Sequence, residues 1–288
     1  MRWRRRVWPC LAALMAHAAA CRGEQSRTPR WSSDGDAIGQ RVRDGRVPGT
    51  SHARFRSTIL NREVGAVIVT PPGYAARPER RYPTLYVLPG IGGDEWTYLR
   101  DIGLEAPATK ALFADEDRAP IVVFGNPGDS GGHRHGLNVL AEELVGFVDA
   151  HYRTRRDARG RALHGFSLGG ATALSLLLQR PDVFGHAAAL SSACYLLATC
   201  ATLRKDLVDK AKLGRNAQVM LAVGEREPAA NRAISEELAP LLGTSVEVLP
   251  DVDHNWAALL ATRELGQRIA AFHSNGFVSP PSSSADPD

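Results

Sequence analysis

Along this chain, short continuous apolar runs take turns with longer stretches that carry apolar residues at helical spacing. Val64–Thr70 is β-branched and stops at the turn sequence Pro71-Pro-Gly-Tyr74. Thr84–Leu88 and Ile121–Phe124 are brief apolar runs of the kind found in strands buried on two faces. Leu137–His151 places Leu140, Leu144, Phe147 and Val148 on one helical stripe. Arg161–His164 predicts a further strand, and Gly165-Phe-Ser-Leu-Gly-Gly170 leads from it into an apolar helix, Ala171–Gln179, stopped by Pro181. Val219–Val223 and Val246–Leu249 predict two more strands around a helix from about Asn231 to Leu242, and a last helix runs over about Trp256–Phe272. Alternation on this scale implies the α/β class: a mainly parallel sheet with helices on both faces.

This alternating body fills residues 54–273, enough for one domain with a sizeable core. Residues 21–53, rich in Arg, Ser, Asp and Gly without an apolar period, read as a tether or N-terminal arm, and residues 274–288 as a disordered tail. No internal repeat is visible. At 288 residues, 44% hydrophobic and 23% charged, the composition excludes a mainly disordered, collagen-like or coiled-coil chain.

Charge adds one correction. The net charge of +4 comes from 35 Lys and Arg against 31 Asp and Glu, but Arg2, Arg4, Arg5 and Arg6 belong to the first twenty residues. Without them the body is neutral, so no basic patch points to nucleic acid. Met1–Arg6 is a basic n-region and Val7–Ala20 an apolar run of 14 residues, too short to span a bilayer and closed by Ala18-Ala-Ala20. Residues 1–20 therefore read as a signal peptide, and the protein as exported, periplasmic or secreted. Cys21 directly after the alanines also fits a lipoprotein signal with a lipid anchor on Cys21, although such signals usually carry Leu where Ala18 stands. Both endings, lipidation and plain release, stay open. Cys194 and Cys200 fit a small loop-closing disulfide or two buried thiols equally well. No metal-ligand spacing occurs, so no metal site and no cofactor are expected.

The chemistry centres on Gly165-Phe-Ser167-Leu-Gly169, a G-x-S-x-G sequence at a strand-to-helix junction. A sharp turn there lifts a serine hydroxyl above the sheet, and the flanking glycines let neighbouring chains approach without a Cβ clash. The following helix aims its N-terminus at the reacting centre, where negative charge would develop. Such a serine needs a base. His254, in Pro250-Asp-Val-Asp-His-Asn-Trp256 after the last strand, is correctly placed; His133 and His135 precede Ser167, and His164 lies inside its strand. The acid that orients the imidazole belongs after the penultimate strand, in Gly224-Glu-Arg-Glu227. Both glutamates qualify; Glu227 lies far enough into the loop to turn back over the sheet edge, while Glu225 beside the strand can pair elsewhere. Asp251 and Asp253 would shape the histidine loop. For an oxyanion hole, Leu168 supplies one backbone N–H, and the loop Pro89-Gly-Ile-Gly-Gly93 offers a second at Ile91.

With these residues the chain resembles the esterase branch of the α/β-hydrolases, which includes feruloyl esterases, S-formylglutathione hydrolases, mycolyltransferases and siderophore esterases. The resemblance covers about Ser57 to Phe272 and rests on Thr70-Pro-Pro-Gly-Tyr74, Tyr82–Leu88, Glu143–Arg153, Gly165–Gly170, Arg180-Pro-Asp-Val-Phe-Gly185 and His254-Asn-Trp256. It implies a single α/β-hydrolase domain and a Ser–acid–His order met by Ser167, Glu227 and His254. Arg226-Glu-Pro228 is similar to the acid loop of siderophore esterases, which favours Glu227. The loop departs from its relatives in beginning Pro89-Gly90 rather than His-Gly or Asp-Gly, which leaves open how it is braced. The glycine-rich Gly125–Gly136 is expected to overhang the site. The resemblance implies a serine carboxylic-ester hydrolase acting through an acyl-enzyme on a small or medium ester, feruloyl-type or siderophore-type. An acyltransferase on the same scaffold and a non-catalytic envelope binding protein are the alternatives.

Overall fold

The computed structural model describes residues 36–125, 137–193, 205, 207–209, 211 and 218–277. Residues 1–35, with the expected signal peptide, Cys21 and the first part of the expected tether, residues 126–136 with His133 and His135, Cys194, Cys200 and, of the tail expected over 274–288, residues 278–288 lie outside the described residues.

Helix α1 (Asp36–Arg43) leads into strands β1 (Thr50–Ser57), β2 (Arg62–Val69) and β3 (Thr84–Leu88). Short helices α2 (Thr97–Asp101) and α3 (Pro107–Leu112) precede β4 (Ile121–Gly125). A π-helical segment, Val139–Leu144, continues into α4 (Val145–His151), followed by β5 (Arg161–Phe166), α5 (Leu168–Gln179) and β6 (His186–Leu190). The chain then forms β7 (Gln218–Gly224), α6 (Ala229–Leu241), β8 (Val246–Leu249), α7 (Trp256–Ala261) and α8 (Arg263–Gly276).

The strands form one eight-stranded sheet in the order β1-β2-β4-β3-β5-β6-β7-β8. β1 and β2 are antiparallel to their neighbours, and β4, β3 and β5 to β8 run parallel. Alternation of side chains along each strand builds two cores. Tyr86, Leu88 and Leu163 face α5 through Leu174 and Leu177, while Leu85, Val87 and Ala162 face Trp256, Leu265 and Ile269. With both faces covered, β3, β4 and β6 are buried along their whole length, as a central parallel strand must be.

The structure adds to the sequence expectations and moves several boundaries. Residues 36–49, read as the end of a tether, contain α1, whose Val42 is buried in the second core. β1 starts at Thr50 and pairs with β2 from Thr50↔Val69 to Ser57↔Arg62, so the sheet begins inside that segment. The single last helix expected over Trp256–Phe272 is two helices, because Thr262 leaves the helical region (φ −65°, ψ 108°) between α7 and α8. Leu137–His151 is helical as expected but carries the π segment, whose Leu140 and Leu144 pack closely over Gly125.

Candidate active site

The sheet's parallel strands end on one edge, and three connections there bring the chemistry together. At the end of β5 the backbone folds sharply: Ser167 adopts φ 56° and ψ −120°, a conformation L-residues rarely hold. Its amide donates to Leu190 O at 2.9 Å, and its carbonyl accepts from Ala171 and Ala193, so the strained residue is pinned from both sides. The glycines are required by space. A Cβ on Gly165 would sit 2.1 Å from Gly169 O, and one on Gly169 only 2.2 Å from Leu88 O. Ser167 also stands at the N-cap position of α5, where its side chain makes no capping hydrogen bond and its Oγ lies at the positive end of the helix.

His254 comes from the loop after β8. Its Nε2 lies 2.9 Å from Ser167 Oγ and its Nδ1 2.8 Å from Glu227 Oε2. The ring packs against Phe166, with centroids 4.8 Å apart, and Phe166 stacks in turn on Trp256. The loop is tied to the acid loop by Arg226 N–H to Val252 O at 2.9 Å and by an Arg226–Asp251 ion pair. A Cβ on Gly224 would meet Val252 O at 2.3 Å, so the close approach of the two loops depends on that glycine. Glu225, the other candidate acid, turns away and accepts from the Asp251 amide at 3.2 Å. Asp253 accepts from the Asn255 amide through its backbone carbonyl, which shapes the loop at His254.

Glu227 is buried, yet its carboxyl is held below the usual carboxylate range. Burial alone would raise it, but hydrogen bonds from His254, Ser191 and Asn231 outweigh that cost. Ser191 Oγ donates to Oε1, and Asn231 Nδ2 donates to Oε2 at 2.8 Å. Both partners are fully buried, and Ser191 itself sits at φ 48°. A charged, fixed carboxylate is what an imidazole needs in order to present Nε2 as a base to the serine. The sequence reading missed both residues; a residue four positions beyond Glu227, at the start of a helix, was the available signal for Asn231.

The second sequence-predicted group is the oxyanion pair. Gly93 N donates to Gly90 O at 3.1 Å, closing a tight turn in which Gly92 takes φ 75° and the Ile91 amide is left outside the turn's own bond. A Cβ on Gly90 would lie 3.2 Å from Ser167 Cβ, which places this turn against the serine. Among the described residues neither the Ile91 nor the Leu168 amide donates to a backbone carbonyl. How the loop is braced without its usual His or Asp is also visible. Asp94 accepts from Trp96 N–H and Arg100, and buried Glu95 reaches His52 Nε2 of β1 at 3.1 Å, with His52 lying on Trp96. Among the described residues no group of three or more His, Cys, Asp or Glu side chains is arranged to hold a metal ion.

The model of the family described as Putative esterase matches residues 57–273. The chain belongs to that esterase family. Among curated proteins it is 27% identical over 193 residues to an endo-1,4-beta-xylanase/feruloyl esterase of Xylanibacter ruminicola, covering 62% of this chain and 26% of that protein. It is 28% identical over 166 residues to an esterase of Mycobacterium tuberculosis, covering 54% of this chain and 35% of the other. The chain thus spans about a third or less of the length of these curated relatives. Among solved structures, a ferulic acid esterase superposes with a TM-score of 0.63 at 17% identity, covering 79% of this chain and 98% of that one. An S-formylglutathione hydrolase from Agrobacterium tumefaciens gives 0.63 at 14% identity, over 80% and 95%. At these identities the structural likeness establishes the α/β-hydrolase fold of the esterase family.

Proposed function

We propose that this protein hydrolyses carboxylic esters through an acyl-enzyme on Ser167. The observation that carries the reading is the unbroken relay from Ser167 Oγ to His254 Nε2 at 2.9 Å and from His254 Nδ1 to Glu227 Oε2 at 2.8 Å, on a strained elbow at the carboxyl edge of the sheet. His254 takes the serine proton as Oγ attacks the ester carbonyl, and Glu227 stabilises the imidazolium that results. The Ile91 and Leu168 amides receive the oxyanion, helped by the N-terminus of α5. The imidazolium returns its proton to the leaving alcohol, water then attacks the acyl-enzyme, and Ser167 is regenerated. No step needs a cofactor.

Feruloyl-type esters are the substrates to test first, because a relative and a structural neighbour carry feruloyl or ferulic acid esterase in their names. The side chain of Ile91, 44% exposed on the turn whose Gly90 lies against the serine, offers an apolar contact to such an acyl group. We propose export of the chain as well, from the basic and apolar pattern of residues 1–20. The deciding experiment compares the protein with Ser167→Ala on a graded series of acyl p-nitrophenyl and feruloyl esters. Loss of at least ~10³-fold in kcat/KM in the variant is expected. Equal turnover by both, or none by either, would remove the reading.

A further inference from the structure

Asn231 sits on the first turn of α6 with its side chain fully buried, and its Nδ2 reaches two members of the relay at once. It lies 2.8 Å from Glu227 Oε2 and 3.0 Å from His254 Nδ1, the same two atoms that are 2.8 Å from each other. Three polar atoms therefore form a closed triangle in which Oε2 can only accept. The orientation of the amide follows from charge: turned over, Oδ1 would face Oε2, acceptor against acceptor. As placed, Oδ1 is buried and makes no hydrogen bond among the described residues. The cost of that orphaned oxygen indicates that the N–H group is what the site uses.

We propose that Asn231 is a positioning residue of the relay: its amide fixes Glu227 Oε2 beside His254 Nδ1 and opposes positive charge on the ring, so that removing the amide strengthens His254 as a base. The inference rests on the reading of His254 as the general base of Ser167. Two effects act in the same direction. Oε2 is shared between two donors and so attracts the Nδ1 proton of an imidazolium less strongly. The positive end of the amide dipole, 3.0 Å from Nδ1, disfavours positive charge on the ring.

Of the other charged groups around the imidazole most pair elsewhere, and the Asp253 carboxylate is exposed to solvent. On its own loop Asp251 pairs with Arg226, and Asp253 holds the loop through its backbone. On the acid loop Glu225 accepts from the Asp251 amide, and on α6 Arg232 pairs with Glu236. On β5 the ring meets Phe166, and buried His164 lies beyond, against Trp256. Among the described residues only Ser167, Glu227 and Asn231 hydrogen-bond the imidazole.

The test is the pH dependence of kcat/KM for the wild type, Asn231→Leu and Asn231→Asp, with unfolding curves to confirm that each is folded. It is paired with an NMR titration of the His254 ring protons in the same proteins, which requires no turnover. For Asn231→Leu the acid limb and the ring titration should both move up by about half a pH unit or more, with a plateau kcat lowered about tenfold. Asn231→Asp keeps the shape and adds a second carboxylate, so its limb should move further up. A variant that loses rate while limb and ring titration stay fixed, or move down, would show a merely structural role and overturn the proposal. If the wild type turns over no ester, the enzymatic reading fails, and the ring titration still decides the role of Asn231. An Asn231→Leu protein that does not fold leaves the decision to Asn231→Asp.

Discussion

The underside of the nucleophile strand carries an unusual load: three buried histidines, His164 on β5, His186 on β6 and His273 on α8. His164 Nδ1 and His273 Nε2 are 3.4 Å apart, and His186 is enclosed by Phe272, Phe277 and His273. Burial pushes His164 and His186 down from 6.5 to about 4, and it pushes His273 in the same direction. Each is neutral in the folded protein at a pH where the unfolded chain would already be protonated. The unfolded state therefore binds more protons between about pH 4 and 6.5, and stability must fall as the pH is lowered through that window. At 1.36 kcal/mol per unit, His164 and His186 each remove about 3 kcal/mol across the window, or roughly 1 kcal/mol per pH unit in its middle. Two such groups approach the whole stability of a typical domain, roughly 5–15 kcal/mol. The perturbation is His186→Leu, which keeps an apolar body of similar size beside Phe272 and deletes one proton-binding group. Urea unfolding at intervals from pH 7 to 5 gives the slope of stability against pH. The variant's slope should be smaller than the wild type's by roughly 1 kcal/mol per pH unit, whatever its absolute stability. Equal slopes would show that His186 takes up its proton in the folded state as easily as in the unfolded one, and the burial argument would be wrong.

Other expectations follow from the site and the loops that hold it. Glu227→Gln keeps an oxygen for His254 and Asn231 while the Ser191 hydroxyl rotates to accept, so only the charge is lost; kcat should drop ~10²–10⁴-fold with KM little changed, checked by steady-state kinetics. Gly169→Ala drives a Cβ to within 2.2 Å of Leu88 O, backbone that cannot retreat, and should abolish soluble folded protein, read by expression and circular dichroism. Glu95→Gln weakens the contact with His52 that braces the turn at Ile91, and should lower kcat about tenfold while the serine still reacts with an activated ester. A Glu95→Gln enzyme with unchanged kcat would remove the brace from the account.

What could be read in advance tracks where local pattern and tertiary environment agree. β3 and β8 coincide with the runs Thr84–Leu88 and Val246–Leu249, because each is a short apolar or β-branched stretch set off by its neighbours. β6, His-Ala-Ala-Ala-Leu, escaped, since alanine favours helix; its small side chains suit a central strand with packed layers on both faces. β1 escaped for the opposite reason: Thr-Ser-His-Ala-Arg-Phe-Arg-Ser is a mostly polar edge strand whose apolar alternation is confined to Ala53 and Phe55, and it is placed by its register with β2. At the site, Ser167, His254 and Glu227 were legible because their chemistry demands fixed residue types in a fixed chain order, and the structure brings these three together. Ser191 and Asn231 were not, because any small donor in the right place could serve Glu227, and only the fold shows which residues arrive there. The bracing pair His52–Glu95 joins β1 to the turn at Ile91 across 43 residues of sequence, a distance over which no local pattern reports.

The account's central claim is that Ser167 is an activated nucleophile, and covalent trapping tests it without knowledge of the substrate. The protein, Ser167→Ala and His254→Ala would each be treated with a fluorophosphonate, digested, and mapped by peptide mass spectrometry. The account predicts one adduct, on Ser167 of the wild type, absent from Ser167→Ala and slowed by at least ~10³-fold in His254→Ala. An unlabelled Ser167 in folded wild-type protein, or labelling as fast without His254 as with it, would contradict it.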